Sequence, residues 1–304
     1  MRFTPDVARG DWILPRLHGW GVVGSTVPRG FEAYARVLHP VTAHVPAIRT
    51  DVEPEDLRWS EVAVRSTHRP RAVVHPLVQW AAVSGEPHGT VPLADGRQAG
   101  PPRIGSLDVR TLGRLARHLA VHTSEPDLVT AGVWSGDGSL RPGTTSQAFV
   151  SVYDDGIADH ERHDPAAVPP RRASLQAEAE AALFASVDPE TTSAADDGPL
   201  LELPGRDYVL LDGTTGELVD GSWTRTSGLG WFRGLPGAGP NLLWPADLAW
   251  CVASEIDFDS TLVGGSRALV EAICGDETLE AFEVTEDDDL SLAGDTLNPV
   301  PGGG

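Results

Sequence analysis

The chain contains no lysine: its 23 basic residues are all arginine, against 44 acidic residues and a formal charge of −21. A chain of that sign repels phosphate backbones at long range and lacks the basic footprint that dominates nucleic-acid affinity, so nucleic acid is not the expected partner. Cysteine is nearly missing as well. Cys251 and Cys274, the only two, lie in apolar segments and read as buried thiols; a disulfide framework is excluded, although a single bridge between them stays open. No run approaches the roughly 18–20 apolar residues that span a bilayer, and the first twenty residues hold no continuous apolar stretch of a secretory signal. These absences predict a cytoplasmic protein without a membrane partner.

The 304 residues are 40% hydrophobic, enough to bury the core of one large domain or two ordinary ones. Tyr34–Val41 reads as a strand closed by Pro40, and residues 51–64 as holding a short helix opened by Pro54. Residues 72–83 read as a strand with a turn or a short helix. Val109, Leu112, Leu115, Ala116 and Leu119 recur at helical spacing, predicting a helix over Leu107–His122 with one buried stripe. Strands over Leu128–Trp134 and Gln147–Tyr153, joined through the SGDG turn, predict a hairpin. From Asp154 to Pro199 the composition turns polar and proline-rich, as in a mobile connector carrying one Ala/Glu helix (Ser174–Val187), with a turn-rich DPETTSAADDGP stretch after it. Further strands are expected at Tyr208–Leu211, Ala249–Phe258 and Leu279–Val284, with a helix over Ser266–Ile273. Strands and helices do not alternate, so the pattern predicts an α+β fold with a mainly antiparallel sheet and a few packed helices. The expected organisation is an N-terminal α+β region (1–153), a connector (154–199), a second α+β region packing on the first (200–285) and a disordered tail (286–304).

Several patterns resemble functional motifs. Gly19-Trp20-Gly21-Val22-Val23-Gly24 satisfies G-x-G-x-x-G, but Pro15 and His18 interrupt a preceding strand and Pro28 a following helix, so it reads as a glycine-rich turn beside an aromatic. His118 and His122 share a helix face, as metal ligands can, but lack the glutamate of a zincin pattern; His160 and His163 sit in the connector. Trp223, Trp231, Trp244 and Trp250 form an aromatic cluster in sequence, of which Trp231 and Trp244 are candidates to line a groove for a small molecule or a protein.

The richest segment is WCVASEIDFDSTLVGGS, residues 250–266. Strand alternation would place Glu255, Asp257 and Asp259 on one face, where carboxylates two apart require water, arginine or a cation between them. Thr261 follows, and Gly264-Gly265-Ser266 leads into a helix whose free amides suit an anion. The run Ile256-Asp257-Phe258-Asp259-Ser260-Thr261-Leu262 resembles the first motif of the haloacid-dehalogenase-like phosphohydrolases. That resemblance implies Asp257 as nucleophile, Asp259 as general acid/base and Mg²⁺ as cofactor. The block from Pro240 to Ser266, with Pro204–Tyr208, also resembles a group of uncharacterised actinobacterial proteins, a likeness that carries no mechanism. With no phosphate loop, triad or metal spacing in its proper context, the sequence reads first as a non-catalytic binding or interaction protein without a cofactor. The magnesium-dependent phosphohydrolase is the alternative.

Overall fold

A computed structural model of the chain describes residues 1–45, 54–67, 72–141, 186–231 and 236–298. Nine strands form the main sheet: β1 (Arg2–Thr4), β2 (Ala33–Leu38), β7 (Val129–Trp134), β8 (Leu201–Leu203), β9 (Arg206–Gly213), β10 (Leu242–Pro245), β11 (Cys251–Ala253), β12 (Ser260–Gly265) and β13 (Ala281–Val284). Their order is β1-β9-β7-β10-β11-β12-β2-β13, with β8 pairing the first part of β9, and every pairing is antiparallel. Early and late segments therefore share one sheet: β2 lies between β12 and β13, and β9 between β1 and β7. A second antiparallel sheet holds β3 (Val41–His44), β4 (Glu55–Leu57), β5 (Val91–Pro92) and β6 (Gln98–Ala99) in the order β4-β3-β6-β5.

Both faces of the main sheet are covered, which is why β2 and β12 are buried at every residue rather than at alternate ones. One face carries helices α3 (Val109–Val121), α5 (Thr215–Asp220), α6 (Trp223–Thr226) and α7 (Arg267–Cys274). Leu112, Leu115, Ala116 and Leu119 of α3 pack there against Val133, Leu211, Val252 and Val263. Each buried leucine or valine among them contributes about 1.5–3 kcal/mol by leaving water. Asp108 fixes the start of α3 by accepting from the amides of Arg110 (2.9 Å) and Thr111 (3.0 Å). At Gly113 α3 passes so close to α5 that an added Cβ would stand 2.9 Å from the Val219 carbonyl. The opposite face is closed by the N-terminal segment, with Ile13, Val23 and Val27 on Leu210, Trp244 and Leu262. The small sheet has its own core under α1 (Trp59–Arg65) and α2 (Trp80–Ser84), where Trp59 and Trp80 meet edge to face at 5.3 Å.

The α+β class and the antiparallel pairing agree with the sequence pattern, as do α3, β7 and the helix after Ser266. Other expectations change. Residues 188–199 are not a run of turns: α4 (Pro189–Asp197) starts there, with Asp188 accepting from the Glu190 amide at 2.8 Å and Thr191, Ala194 and Ala195 buried. The expected strand over 34–41 divides into β2 and β3 at Pro40. The SGDG turn, a type expected to need positive φ, forms without it at Gly136 and Gly138, and Asp137 accepts there from the Ser139 amide. Strand β7 pairs with β9 and β10, and the hairpin partner expected at 147–153 lies outside the described residues, as do the Ala/Glu helix up to residue 185 and His160 and His163. Of the segment assigned to the tail, residues 286–298 pack on the body. Leu290 is buried, and the buried Asp295 accepts from His75 (2.7 Å) and Asn298 (2.9 Å). Among the described residues no helix is long and apolar enough to cross a membrane.

Candidate functional site

The three carboxylates expected on one strand face are not on a strand. β11 stops at Ala253, and the chain reverses before β12. The reversal is written in side-chain chemistry: the Phe258 amide bonds the Glu255 carbonyl (3.0 Å), and the Asp257 amide bonds the Glu255 carboxylate (2.8 Å). A side chain satisfying a backbone donor two residues on competes with strand pairing and turns the chain. Glu255 and Asp257 then share Arg206, at 3.0 and 3.1 Å, and that guanidinium lies over the Trp134 ring at 5.9 Å.

Asp259 points elsewhere, toward Arg36 of β2. Arg36 is 1% exposed and its donors go to Ser260 Oγ (2.8 Å), the carbonyls of Pro76 and Val78 (2.9 Å each) and, at 3.5 Å, Asp259. The last contact is long for a charge-assisted hydrogen bond. Burial therefore outweighs mutual attraction for both partners. It raises the Asp259 carboxyl above its ordinary value, with Arg36 opposing, and lowers the Arg36 guanidinium, with Asp259 and Asp295 opposing.

Thr261 is fully buried in a line of side chains behind this pair. Its hydroxyl stands 2.6 Å from Ser254 Oγ and 2.8 Å from His39 Nε2, while His39 Nδ1 lies 2.6 Å from the Arg103 carbonyl. A carbonyl can only accept, so Nδ1 carries the proton and Nε2 accepts from Thr261. Burial pushes the His39 pKa down to about 4, which keeps the ring neutral. The chain of hydroxyls and imidazole thereby clamps β2, β11 and β12 together.

Asp257 and Asp259 both line a cleft of about 140 Å³ at the seam between the two sheets. Trp80, Pro101, Pro102 and Ile104 line it as well, together with the polar Gln79 and His88. That volume matches a cavity able to hold one benzene-sized group, well short of a drug-sized site. Ile104 and the nearby Leu292 are about half exposed at its rim. The cleft thus brings two carboxylates together with an indole and prolines.

The other residues singled out from sequence are not part of this cleft. Ser266 caps α7, accepting from the Leu269 amide at 3.2 Å, and the next amide, of Arg267, is taken by the Glu32 carboxylate at 3.0 Å. Gly264 and Gly265 serve packing, since Cβ atoms there would strike Phe31 and Leu269. Trp231 meets Trp223 at 5.3 Å on the helical side, whereas Trp244 is buried on the opposite face beside Trp12. The tryptophans thus do not line a common groove. His118 bonds Asp276 (2.8 Å), and His122 bonds the His118 carbonyl (2.8 Å) rather than a shared metal. The glycine-rich run at 19–24 is a turn, with Gly19 and Gly21 at positive φ and Trp20 exposed.

The donor set does not fit magnesium. Mg²⁺ takes oxygen ligands in a tight octahedron, whereas Asp257 and Asp259 are held by different guanidiniums. Among the described residues no group of three His, Cys, Asp or Glu side chains could hold a metal ion. Sequence reasoning missed Arg36, Arg206, His39 and Trp80. A charged residue inside the apolar strand Ala-Tyr-Ala-Arg-Val-Leu was the one legible signal, pointing to Arg36. Comparison with protein-family models, curated proteins and solved structures finds no match.

Proposed function

We propose that this chain is a non-catalytic cytoplasmic binding protein whose ligand site is the seam cleft, and whose ligand is an organic cation on a short apolar body. The observation that carries the reading is that Asp257 and Asp259 line one cleft of about 140 Å³ with Trp80, Pro101, Pro102 and Ile104. An ammonium or guanidinium group meets the carboxylates, above all Asp257, whose side chain is 72% exposed. The attached hydrocarbon or ring meets the indole and the prolines, where a cation beside an aromatic gains further. The volume suits one side chain of a partner or one small amine. The net charge of −21 favours a cationic ligand at long range and disfavours nucleic acid.

The test is a thermal-shift and NMR titration with benzylamine, N-acetyl-argininamide and the neutral isostere benzyl alcohol. Native-state binding raises the unfolding midpoint; the two cations are expected to do so, and benzyl alcohol is not. Asp257→Asn weakens the response. Equal binding of benzyl alcohol would overturn the reading. Mg²⁺-dependent phosphatase activity that disappears in Asp257→Asn would replace it with the phosphohydrolase alternative.

A further inference from the structure

A second cleft lies where the small sheet meets α3, and its chemistry is opposite. It encloses about 90 Å³, and its lining combines Leu38, Leu57 and Leu279 with three arginines: Arg58, Arg110 and Arg114. Arg110 and Arg114 stand four apart on α3 and so share a face, while Arg58 enters from the residue preceding α1. In a chain with 44 acidic residues and only 23 arginines, three guanidiniums around one small cleft run against the average composition.

The carboxylates at this cleft offset part of that charge, Asp56 through a 3.5 Å ion pair with Arg110 and Glu61 through a 3.4 Å one with Arg58, but they leave most of the guanidinium donors unused. Glu280 faces the start of α1 and accepts from the amides of Trp59 (2.5 Å) and Ser60 (3.0 Å). Asp56 takes the Thr42 hydroxyl at 3.2 Å and reaches Arg110 only at 3.5 Å. Arg114 gives one bond to the Thr278 carbonyl (3.0 Å); Arg58 gives one to the Glu277 carbonyl (3.0 Å) and a loose one to Glu61 (3.4 Å). Each guanidinium carries five N–H donors. Among the described residues most of these donors are therefore open to solvent or to a ligand.

We propose that this cleft binds a phosphate group, as the free ion or as the terminal group of a small phosphomonoester. A carboxylate is satisfied by a single bidentate arginine, whereas a tetrahedral oxyanion presents oxygens in several directions and uses donors arriving from more than one element. Arg58 and Arg114, both partly exposed, and Arg110, 70% exposed in its side chain, supply such donors from two elements. The leucines in the lining lower the local polarity and strengthen each contact. This site is separate from the acidic cleft and stands or falls without it.

The experiment is a titration of the full chain with inorganic phosphate at constant ionic strength, chloride replacing it in the control, read by ³¹P NMR linewidth and unfolding midpoint. Phosphate is expected to raise the midpoint above the chloride control. Arg110→Gln and Arg114→Gln are each expected to weaken phosphate binding at least tenfold. Circular dichroism verifies that the variants are folded, and because Arg110 is mostly exposed its variant keeps the test readable if Arg114→Gln unfolds. A chloride-like response of the native chain, or unchanged phosphate affinity in Arg110→Gln, would overturn the proposal. A glucose 6-phosphate arm, with glucose as control, distinguishes a phosphomonoester from the free ion.

Discussion

Replacing Arg36 by methionine tests the electrostatics of the seam. Methionine keeps the length of the side chain and packs in its apolar surroundings, but it removes every donor. The Ser260 hydroxyl and the Pro76 and Val78 carbonyls lose a charged partner, and Asp259 is left as a largely buried carboxylate with no guanidinium. Breaking one side of a buried pair costs about 3–5 kcal/mol. The loss of Arg36's own desolvation penalty offsets part of the missing hydrogen bonds, so the net destabilisation at neutral pH is expected in that range. The pH dependence is the sharper test. Burial already raises the Asp259 carboxyl, and removing Arg36 raises it further. A carboxyl with a raised folded pKa binds its proton more tightly folded than unfolded. Its contribution is fully present below the unfolded value of about 3.9 and is lost as pH rises through the folded one. The deficit of Arg36→Met should therefore shrink as the pH is lowered toward 4, and adding Asp259→Asn should recover at least 1 kcal/mol of it. Urea unfolding at several pH values measures all of this. A neutral-pH loss below about 1 kcal/mol, or a loss that does not change with pH, would refute the reasoning.

Other expectations follow from single contacts. His39, held near pKa 4 by burial, makes the native state take up fewer protons than the unfolded chain between about pH 4 and 6.5. Stability should fall by roughly 3 kcal/mol as pH drops across that window, and His39→Gln should flatten this part of the profile in calorimetric scans. Gly113→Ala gains about 1 kcal/mol of helix propensity, but its Cβ meets the Val219 carbonyl at 2.9 Å. Because that atom is backbone, the clash prevails, and a net loss of about 1–2 kcal/mol is expected in chemical denaturation. Trp250→Phe removes the indole N–H that bonds the Leu119 carbonyl at 3.0 Å and opens a void under α3. A loss of about 1.5–3 kcal/mol is expected, and a value near zero would show that the site collapses around the smaller ring.

What could be read from the sequence was local. α3 is legible because its apolar spacing and its length agree within fifteen or so residues, and β7 because six consecutive residues suit a buried strand. The carboxylate segment misled because its turn contains neither glycine nor proline. Glu255 bends the chain by bonding the Asp257 amide, and strand alternation alone suggests an extended run. Helix α4 was hidden by Thr, Ser and Asp, residues of weak helix propensity, and forms because Asp188 caps it and Thr191 and Ala194 find a buried place. The partners at the seam were beyond reach for a different reason. His39 and Thr261 are 222 residues apart in sequence, and no local pattern announces which arginine will meet which aspartate.

The interleaving of the main sheet carries a cost that arises before the chain is complete. Arg36 finds its Ser260 partner 224 residues later, and among the described residues β2 pairs in the main sheet with β12 and β13. At a synthesis rate of about 5–20 residues per second, the buried edges of β2 wait roughly 10–45 seconds on the ribosome with no sheet to join. Through that interval Ala33–Leu38 is an apolar strand with open edges and a guanidinium in its middle. The charge that the finished protein must accommodate in its core is then the one group on that strand that discourages premature association. A nascent chain carrying Arg36→Met should aggregate more during translation than the instability of its folded form explains.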